Sequence, residues 1–537
     1  MEFYGRKDIL ATLNTRADGL PSGYRQNIAV LGEALIGKTY LIQHWISAYC
    51  NNFVVPVYLE IKPEGINSFV EQFLGRFLFS FLKNSQIPLK DDMEFLIGHA
   101  HRYIPKTIAI IKELLSEKRA KRTDQIFTRL LNIPEAFYQE TGKHCIIIFD
   151  EFHLLEELKI KEFYTQWRKQ IMLANHTMYI LLSSEKQRAE RILSTDLDLL
   201  FGNFEKIHLE ALENKAAQAF LQQKSAKIAC QEPLRDFIIS FTCAKPFYLS
   251  ALTNALIDYH ARNPQEPVSI DSLSRSLENT FIDDWGILNM IFSHFIEPLT
   301  RFNKDPIALK SLLGFASGLN RISELSQHIG KTKREFSQVL HELCGYEMLV
   351  RNADVYSLRD RTFGFWLRYV YALRKNNFSL EYDAQREIFR SGLKGLYQAF
   401  CNAQNKGISE RLLELFNQFG NETIEVHNKR MRLHHFKEVK VLNLNGKRLK
   451  EGILARGQSG LWITGFKEDK VMEEDILDFI HICKRFKYAQ APKKIFIAFD
   501  EIEVNAHLIA KEEKIATWDV SVVNSLLDSY DKPRFVK

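Results

Sequence analysis

The residues Gly32-Glu33-Ala34-Leu35-Ile36-Gly37-Lys38-Thr39 have the spacing GxxxxGK[ST], and that spacing suits one kind of chemistry. Glycines at its two ends let backbone N–H groups wrap a chain of phosphates, and a helix opening at the lysine adds a favourable dipole. Lys38 is expected to reach the β- and γ-phosphates of ATP, and Thr39 to hold Mg²⁺. Residues 32–39, with Tyr40 one step into the helix, are the expected nucleotide contacts. A second constellation is Asp150-Glu151, which follows the apolar run Cys145-Ile146-Ile147-Ile148-Phe149. An aspartate at the carboxyl end of a strand beside the loop joins Thr39 at the metal, and the adjoining glutamate polarises an attacking water as general base. Ser183 and Ser184 end another apolar run. A hydroxyl there contacts the γ-phosphate or the water, with a plain turn as the equal alternative. Lys38, Asp150, Glu151 and Ser184 are the expected catalytic set for ATP hydrolysis.

These groups meet only if regular elements carry them to one edge. Ile28–Leu31 predicts a strand ending at Gly32, and Lys38–Tyr49 predicts the helix that follows. Phe53–Leu59 reads as a second strand, and residues 64–140 as helices with apolar positions at helical spacing. The runs 145–149 and 178–182 are apolar throughout, as strands buried on both faces are. Strands separated by helices predict an open parallel α/β sheet. Residues 210–290 read as all helical, and 300–375 as helices followed by a hairpin over 348–357. The polar stretch within 376–394 is expected to be a linker. Residues 395–537 alternate again, with Gly460–Thr464 and Lys494–Phe499 as strands.

At 537 residues the chain exceeds what one core supports, so three or four domains are expected. It is 46% hydrophobic and 26% charged, which excludes a disordered chain. A net charge of +6 permits contact with nucleic acid without demanding it. Seven scattered cysteines form no CxxC pair, so neither a disulfide framework nor a zinc ribbon is expected. The start MEFYGRKD has no apolar signal core, and no run approaches the roughly 20 apolar residues of a membrane span. A soluble, cytoplasmic protein with no membrane partner is the expectation.

The opening Phe3-Tyr4-Gly5-Arg6-Lys7 resembles the F-x-G-R-E/D start of the archaeal-type ATPases, a STAND-like branch of the AAA+ P-loop ATPases. The resemblance runs on through the GxxxxGKT loop, Phe149-Asp150-Glu151-Phe152-His153 and Leu182-Ser183-Ser184. It reaches Pro246-Phe247-Tyr248-Leu249, similar to the lid motif G-G-x-P-x-Y-L, with Cys243, Ala244 and Lys245 where the family has its glycine-rich approach. It closes on Tyr356–Asp360 with Phe365-Trp366, similar to the end of the family's winged helix. What it implies is a multidomain α/β chain: an AAA+-like ATPase core over 1–209, a helical lid over 210–299, a winged helix over 300–375, the linker 376–394, and a carboxy-terminal domain over 395–537. It also implies that Arg6 lies near the nucleotide. No arginine finger is assigned; Arg188 and Arg191 read as helix-surface charges.

Ile322–Gly330 and Thr332–Leu343 read as helix, turn, helix. Leu325, Ile329, Phe336, Val339, Leu340 and Leu343 have the spacing of a small core. Lys331, Lys333, Arg334 and Gln338 would meet duplex DNA, although such units also act as clamps or protein contacts. The carboxy-terminal domain resembles the PD-(D/E)xK nuclease plan, with Glu410 on a helix and Lys467 at the lysine position. Gly465 stands where that plan has its glutamate, and Lys440 and Asn443 where it has its aspartate, so too few hard oxygens remain for a metal and an inactive domain is expected. The basic stretch His427–Arg432 with His434-His435 is a candidate phosphate surface or a solvated face. The leading expectation is therefore a nucleotide-driven regulatory ATPase with duplex DNA or a protein as partner. A DNA-binding regulator with a non-hydrolysing ATP site, and an ATPase-coupled nuclease, are the alternatives.

Overall fold

The computed structural model describes residues 4–87, 89–117, 123–160, 162–198, 204–301, 306–319, 322–376, 381–426, 429–458, 460–486 and 492–536. The chain forms two compact units: residues 1–212 with 245–247, and the remainder.

The first unit is built on β1 (Ile28–Leu31), β2 (Val54–Glu60), β3 (His144–Asp150), β4 (Thr177–Ser183) and β5 (Glu205–His208). They form one parallel sheet in the order β2-β3-β4-β1-β5. β1, β3 and β4 are buried along their whole length, which is why 28–31, 145–149 and 178–182 are apolar runs. One face packs on the helix Ile66–Asn84, whose Phe69, Phe73, Phe77 and Phe81 recur every fourth residue and are all buried. That phenylalanine stripe is core. The other face packs on Leu41, Ile42 and Trp45 of the helix Lys38–Ala48 and on Leu13, Ala17 and Leu20. The strand carrying Asp150 is not next to β1: β4 lies between them. β5 carries no apolar run to announce it: Glu-Lys-Ile-His has one apolar residue and lies at the sheet edge.

In the second unit, the regular elements between residues 214 and 301 are all helices. Helices Pro306–Ala316, Ile322–Ile329 and Lys333–Gly345 are followed by the antiparallel hairpin β6 (Leu349–Asn352) and β7 (Val355–Leu358). Leu325, Phe336, Leu340 and Leu343 are buried there, and Ile329 and Val339 half-buried. Thr332 and Glu335 form a reciprocal cap that starts the third helix.

The expectation of a linker over 376–394 is corrected. Residues 377–380 lie outside the described set, but from Tyr382 the chain is a helix running to Gln404. Its Phe389 and Leu393 are fully buried. Arg386 and Arg390 pair with Glu278 on the helix Ile270–Phe281. The polar composition of the segment is the outer face of an amphipathic helix.

The carboxy-terminal region adds the hairpin β8 (Thr423–Val426) and β9 (Lys429–Arg432), and a mixed sheet of β10 (Phe436–Asn443), β11 (Glu451–Gly457), β12 (Gly460–Lys467), β13 (Lys493–Ala498) and β14 (Ala516–Asp519). These five lie in sequence order, antiparallel through β12 and parallel from β12 to β14. The tip of the β6–β7 hairpin is bound to β8: Asn352 accepts from the Glu425 N–H at 2.6 Å and donates to its carbonyl at 3.2 Å. The Asp354 N–H donates to the Thr423 carbonyl and its carboxylate accepts from the Thr423 N–H. Among the described residues no helix is long and apolar enough to cross a membrane.

Candidate functional site

β1 delivers the chain into Gly32 at the carboxyl edge of the sheet, and the loop returns into the helix at Lys38. A Cβ at Gly32 would lie 2.6 Å from the Leu209 carbonyl, so the tight exit from the strand admits only glycine. Gly37 has φ +92° as the helix N-cap and Leu35 has φ +66°; these left-handed turns reverse the loop around its own N–H groups. Arg6 stiffens it from outside, donating to the carbonyls of Ile36 (2.8 Å) and Glu210 (3.1 Å). Burial lowers the Arg6 guanidinium pKa to about 10. Arg6 therefore lies at the loop; Phe3 is outside the described residues.

Lys38 is 4% exposed and donates to the carbonyls of Gly32 and Glu33, each at 3.0 Å. Its ammonium is 4.0 Å from Glu151 Oε1. Thr39 Oγ donates to Asp150 Oδ2 at 2.5 Å, and Tyr58 OH donates to the same oxygen at 2.8 Å. Asp150 is 1% exposed, and its other oxygen accepts from the Glu151 N–H at 3.0 Å. Burial and the Asp150 charge push the Tyr58 phenol well above its usual range, so it remains a donor. Tyr58 was not singled out from sequence; period two along the Phe53–Leu59 run was the only available sign that it shares a face with Val54 and Pro56.

Glu151 has φ +52°, a conformation that costs roughly 1–2 kcal/mol for a residue with a side chain. The turn aims its carboxylate at the end of β4. Glu151 Oε2 accepts from both the N–H and the hydroxyl of Ser184, each at 2.7 Å. Because β4 lies between β3 and β1, Ser184 at the end of β4 comes against Glu151.

Beneath Glu151 lies a second layer that sequence reasoning missed. His153, 2% exposed, places Nδ1 at 2.8 Å from Ser183 Oγ and 3.5 Å from Glu151 Oε2, and Nε2 at 3.2 Å from Glu185 Oε1. The hydrogen bond from His153 outweighs burial and holds Glu185 below the usual carboxylate range. Lys245 Nζ donates to Glu33 Oε2 at 2.6 Å, putting a cation on the loop. Tyr40 is exposed at the first turn of the helix. Arg188, half-buried, and Arg191, exposed, both bind Glu156, at 2.7 and 2.8 Å.

Two motif residues far apart in sequence also meet, within the second unit: Tyr248 OH donates to Asp360 Oδ2 at 3.2 Å, and Asp360 caps the helix Arg361–Trp366. Cys243 and Ala244 keep the left-handed conformation of a glycine, with φ +53° and +54°. In the carboxy-terminal sheet, Lys467 Nζ donates to the buried carboxylate of Asp475 at 2.6 Å. A Cβ at Gly465 would meet the Phe479 ring at 2.8 Å. Glu410 lies on the helix Ile408–Phe416, and Lys440 and Asn443 lie on β10.

No family model matches the chain, and no curated protein matches it. Among solved structures it is similar to a Walker-type ATPase of Pyrococcus abyssi (16% identity, TM-score 0.48, 68% of this chain and 96% of that one). It is also similar to the ORC2 protein of Aeropyrum pernix (12%, 0.44, 73% and 95%) and to the RuvB Holliday junction branch migration motor of Thermotoga maritima (14%, 0.32, 66% and 92%). Likenesses this distant carry no weight for function. The chain's own strand–GxxxxGKT–helix passage, set in a parallel five-stranded sheet, gives the first unit a P-loop α/β fold.

Proposed function

We propose that this chain is an ATP-hydrolysing P-loop ATPase of AAA+/STAND type that acts as a nucleotide-driven switch. The observation that carries it is the convergence of Lys38, Thr39, Asp150, Glu151 and Ser184 from three non-adjacent segments, within hydrogen-bond or ion-pair distance of one another. Backbone N–H groups of residues 33–38 bind the phosphates, and Lys38 exchanges its carbonyl partners for the β- and γ-phosphate oxygens. The Thr39 hydroxyl and the Asp150 carboxylate are hard oxygens 2.5 Å apart, a donor pair that fits Mg²⁺ with water and phosphate completing its shell. When bound, Mg²⁺ would offset charge on the phosphates. Glu151, oriented by Ser184, removes a proton from the attacking water. Arg6 holds the loop from outside.

Phosphate release from ATP and Mg²⁺ tests this, comparing the wild type with Lys38→Ala. Substitution removes a charge-assisted contact to phosphate and is expected to weaken ATP binding by about 10- to 100-fold and to abolish turnover. Turnover equal in the two proteins would overturn the assignment.

For the second unit we propose a winged helix over 306–358 and an inactive nuclease-like domain over 395–537. Three helices with a terminal hairpin support the first. The face of the helix Lys333–Gly345 carries Arg334 and Gln338 beside Glu335 and Glu342, all exposed; the Lys333 side chain lies outside the described set. Lys331 is 3.9 Å from Glu335. Mixed charge, and a wing tip already bound to β8, favour a role as internal clamp or protein contact over insertion into DNA. The Phe479 ring beside Gly465, and Lys467 tied to Asp475, support the absence of a nuclease centre.

A further inference from the structure

Ser184 holds Glu151 by its N–H and its hydroxyl, and a buried imidazole spans the residues on either side of Ser184. His153 places Nδ1 at 2.8 Å from Ser183 Oγ and Nε2 at 3.2 Å from Glu185 Oε1. Ser183 closes the same turn locally. Its hydroxyl oxygen accepts from the Glu185 N–H at 3.1 Å and lies 3.3 Å from the Glu185 carbonyl. Glu185 is anchored in its turn, with Oε2 at 3.4 Å from Arg188 on the helix Lys186–Arg191. Ser184 therefore sits at the apex of a turn tied on both sides to one ring, with both its donors 2.7 Å from Glu151 Oε2.

The ring belongs to the chain that Glu151 begins. His153 lies two residues beyond Glu151, in the short 3₁₀ helix Phe152–Leu158. The left-handed conformation of Glu151, φ +52°, persists only where its surroundings over-determine it. Ser184 binds the carboxylate, and His153 pins the backbone just after the strained residue to the end of β4. A carboxylate only accepts, so Nε2 carries a proton towards Glu185, and in the neutral ring Nδ1 is left to accept from the Ser183 hydroxyl. Both nitrogens are then used, as a buried imidazole requires. A nucleophilic triad is not the explanation of this Ser–His–Glu chain: Ser183 is 0% exposed and His153 2%, so no substrate reaches the hydroxyl.

We propose that His153 is a positioning residue for ATP hydrolysis: by bridging Ser183 and Glu185 it fixes Ser184, which aims the Glu151 carboxylate at the attacking water. This rests on the ATPase reading above, in which Glu151 is the base. The effect falls on the rate and not on nucleotide affinity, because the loop 32–39 is shaped by its own left-handed turns and by Arg6. Misplacing a reacting group by about 1 Å costs up to about 100-fold in rate, and that is the scale on which the brace acts.

The test is single-turnover phosphate release and titration of a fluorescent ATP analogue on the full-length chain, with denaturant melts to establish folding. His153→Phe keeps a ring in place and removes both bonds. Its kcat is expected to fall about 10- to 100-fold while ATP affinity stays within about threefold. His153→Asn, whose side-chain oxygen stands where Nδ1 does and accepts from Ser183, is expected to recover part of the rate. Glu185→Ala, at a side chain 40% exposed, removes the outer anchor without touching the core. It is expected to lower kcat about three- to tenfold, which keeps the test valid if His153→Phe misfolds. Each loss is expected to vanish in a Glu151→Gln background, because the brace acts only through that carboxylate. A loss that multiplies with that of Glu151→Gln, or that falls on ATP affinity instead of kcat, would overturn the proposal. So would an unchanged kcat in Glu185→Ala and in a folded His153→Phe. Wild-type turnover in Glu151→Gln would remove the base reading itself, whereas a slow Glu151→Gln beside a normal His153→Phe would remove only the brace.

Discussion

Glu151→Gln separates binding from chemistry at the proposed ATPase centre. Glutamine keeps the shape of the side chain, and its carbonyl oxygen can still accept the two 2.7 Å bonds from Ser184. What changes is the loss of a proton acceptor and of the charge facing Lys38 at 4.0 Å. A general base contributes about 10²- to 10⁴-fold, which is about 2.7–5.4 kcal/mol of barrier, so kcat is expected to fall by that factor. The lost attraction to Lys38 is about 4 kcal/mol gross at an effective dielectric of 20. That attraction is exchanged for the phosphate charge when nucleotide enters, and the two carbonyl bonds to Lys38 remain for the free protein. ATP affinity is therefore expected to stay within about threefold of the wild type or to tighten, a difference below about 0.7 kcal/mol. Single-turnover phosphate release gives the rate, and titration of a fluorescent ATP analogue gives the affinity. A variant that hydrolyses at the wild-type rate would refute the base assignment. One that no longer binds would refute the separation of Glu151 from the phosphate contacts.

Two further outcomes concern the second unit. Gly465→Glu is expected to destabilise by roughly 3 kcal/mol or more, because its Cβ meets Phe479 at 2.8 Å and a carboxylate is buried without a partner; denaturant melts measure this. Plasmid nicking with Mg²⁺ should remain absent in that variant, and cleavage by a stable Gly465→Glu protein would refute the packing argument. Asp528 is bound by Arg361 at 2.8 Å and by Arg534. Burial raises its pKa, but the two guanidiniums outweigh burial and hold it below 3.8. A depressed folded pKa means the stabilisation is present above about pH 3.8 and is lost as pH falls through the folded value. Asp528→Asn is expected to cost roughly 2–3 kcal/mol at neutral pH, less than a fully buried pair because the carboxylate is 20% exposed. Its stability should also decline less than the wild type's on acidification, read from melts across pH; parallel declines would remove Asp528 as the cause.

Sequence alone determined the elements whose signal is local. The GxxxxGKT spacing, the apolar runs that became β1, β3 and β4, and the helical periodicity of 66–84 each occupy one short window, and each formed where expected. Backbone sterics at Gly32 and Gly37, and burial on both sheet faces, act over a few residues and are legible there. Tertiary structure decided what depends on strand order. Placing β4 beside β3 is a long-range choice that puts Ser184 on Glu151 and seats His153 between Ser183 and Glu185, and pairing β2 with β3 brings Tyr58 to Asp150. The polar segment from 382 read as a linker because its apolar positions are sparse; only the partners on the helix Ile270–Phe281 make it a helix. Lys493 and His434 are 59 residues apart in sequence, and both lie against Trp462, Lys493 because β12 and β13 pair in parallel at that register. Contacts of that range are fixed by packing the sheet as a whole, so no window of the sequence contains them.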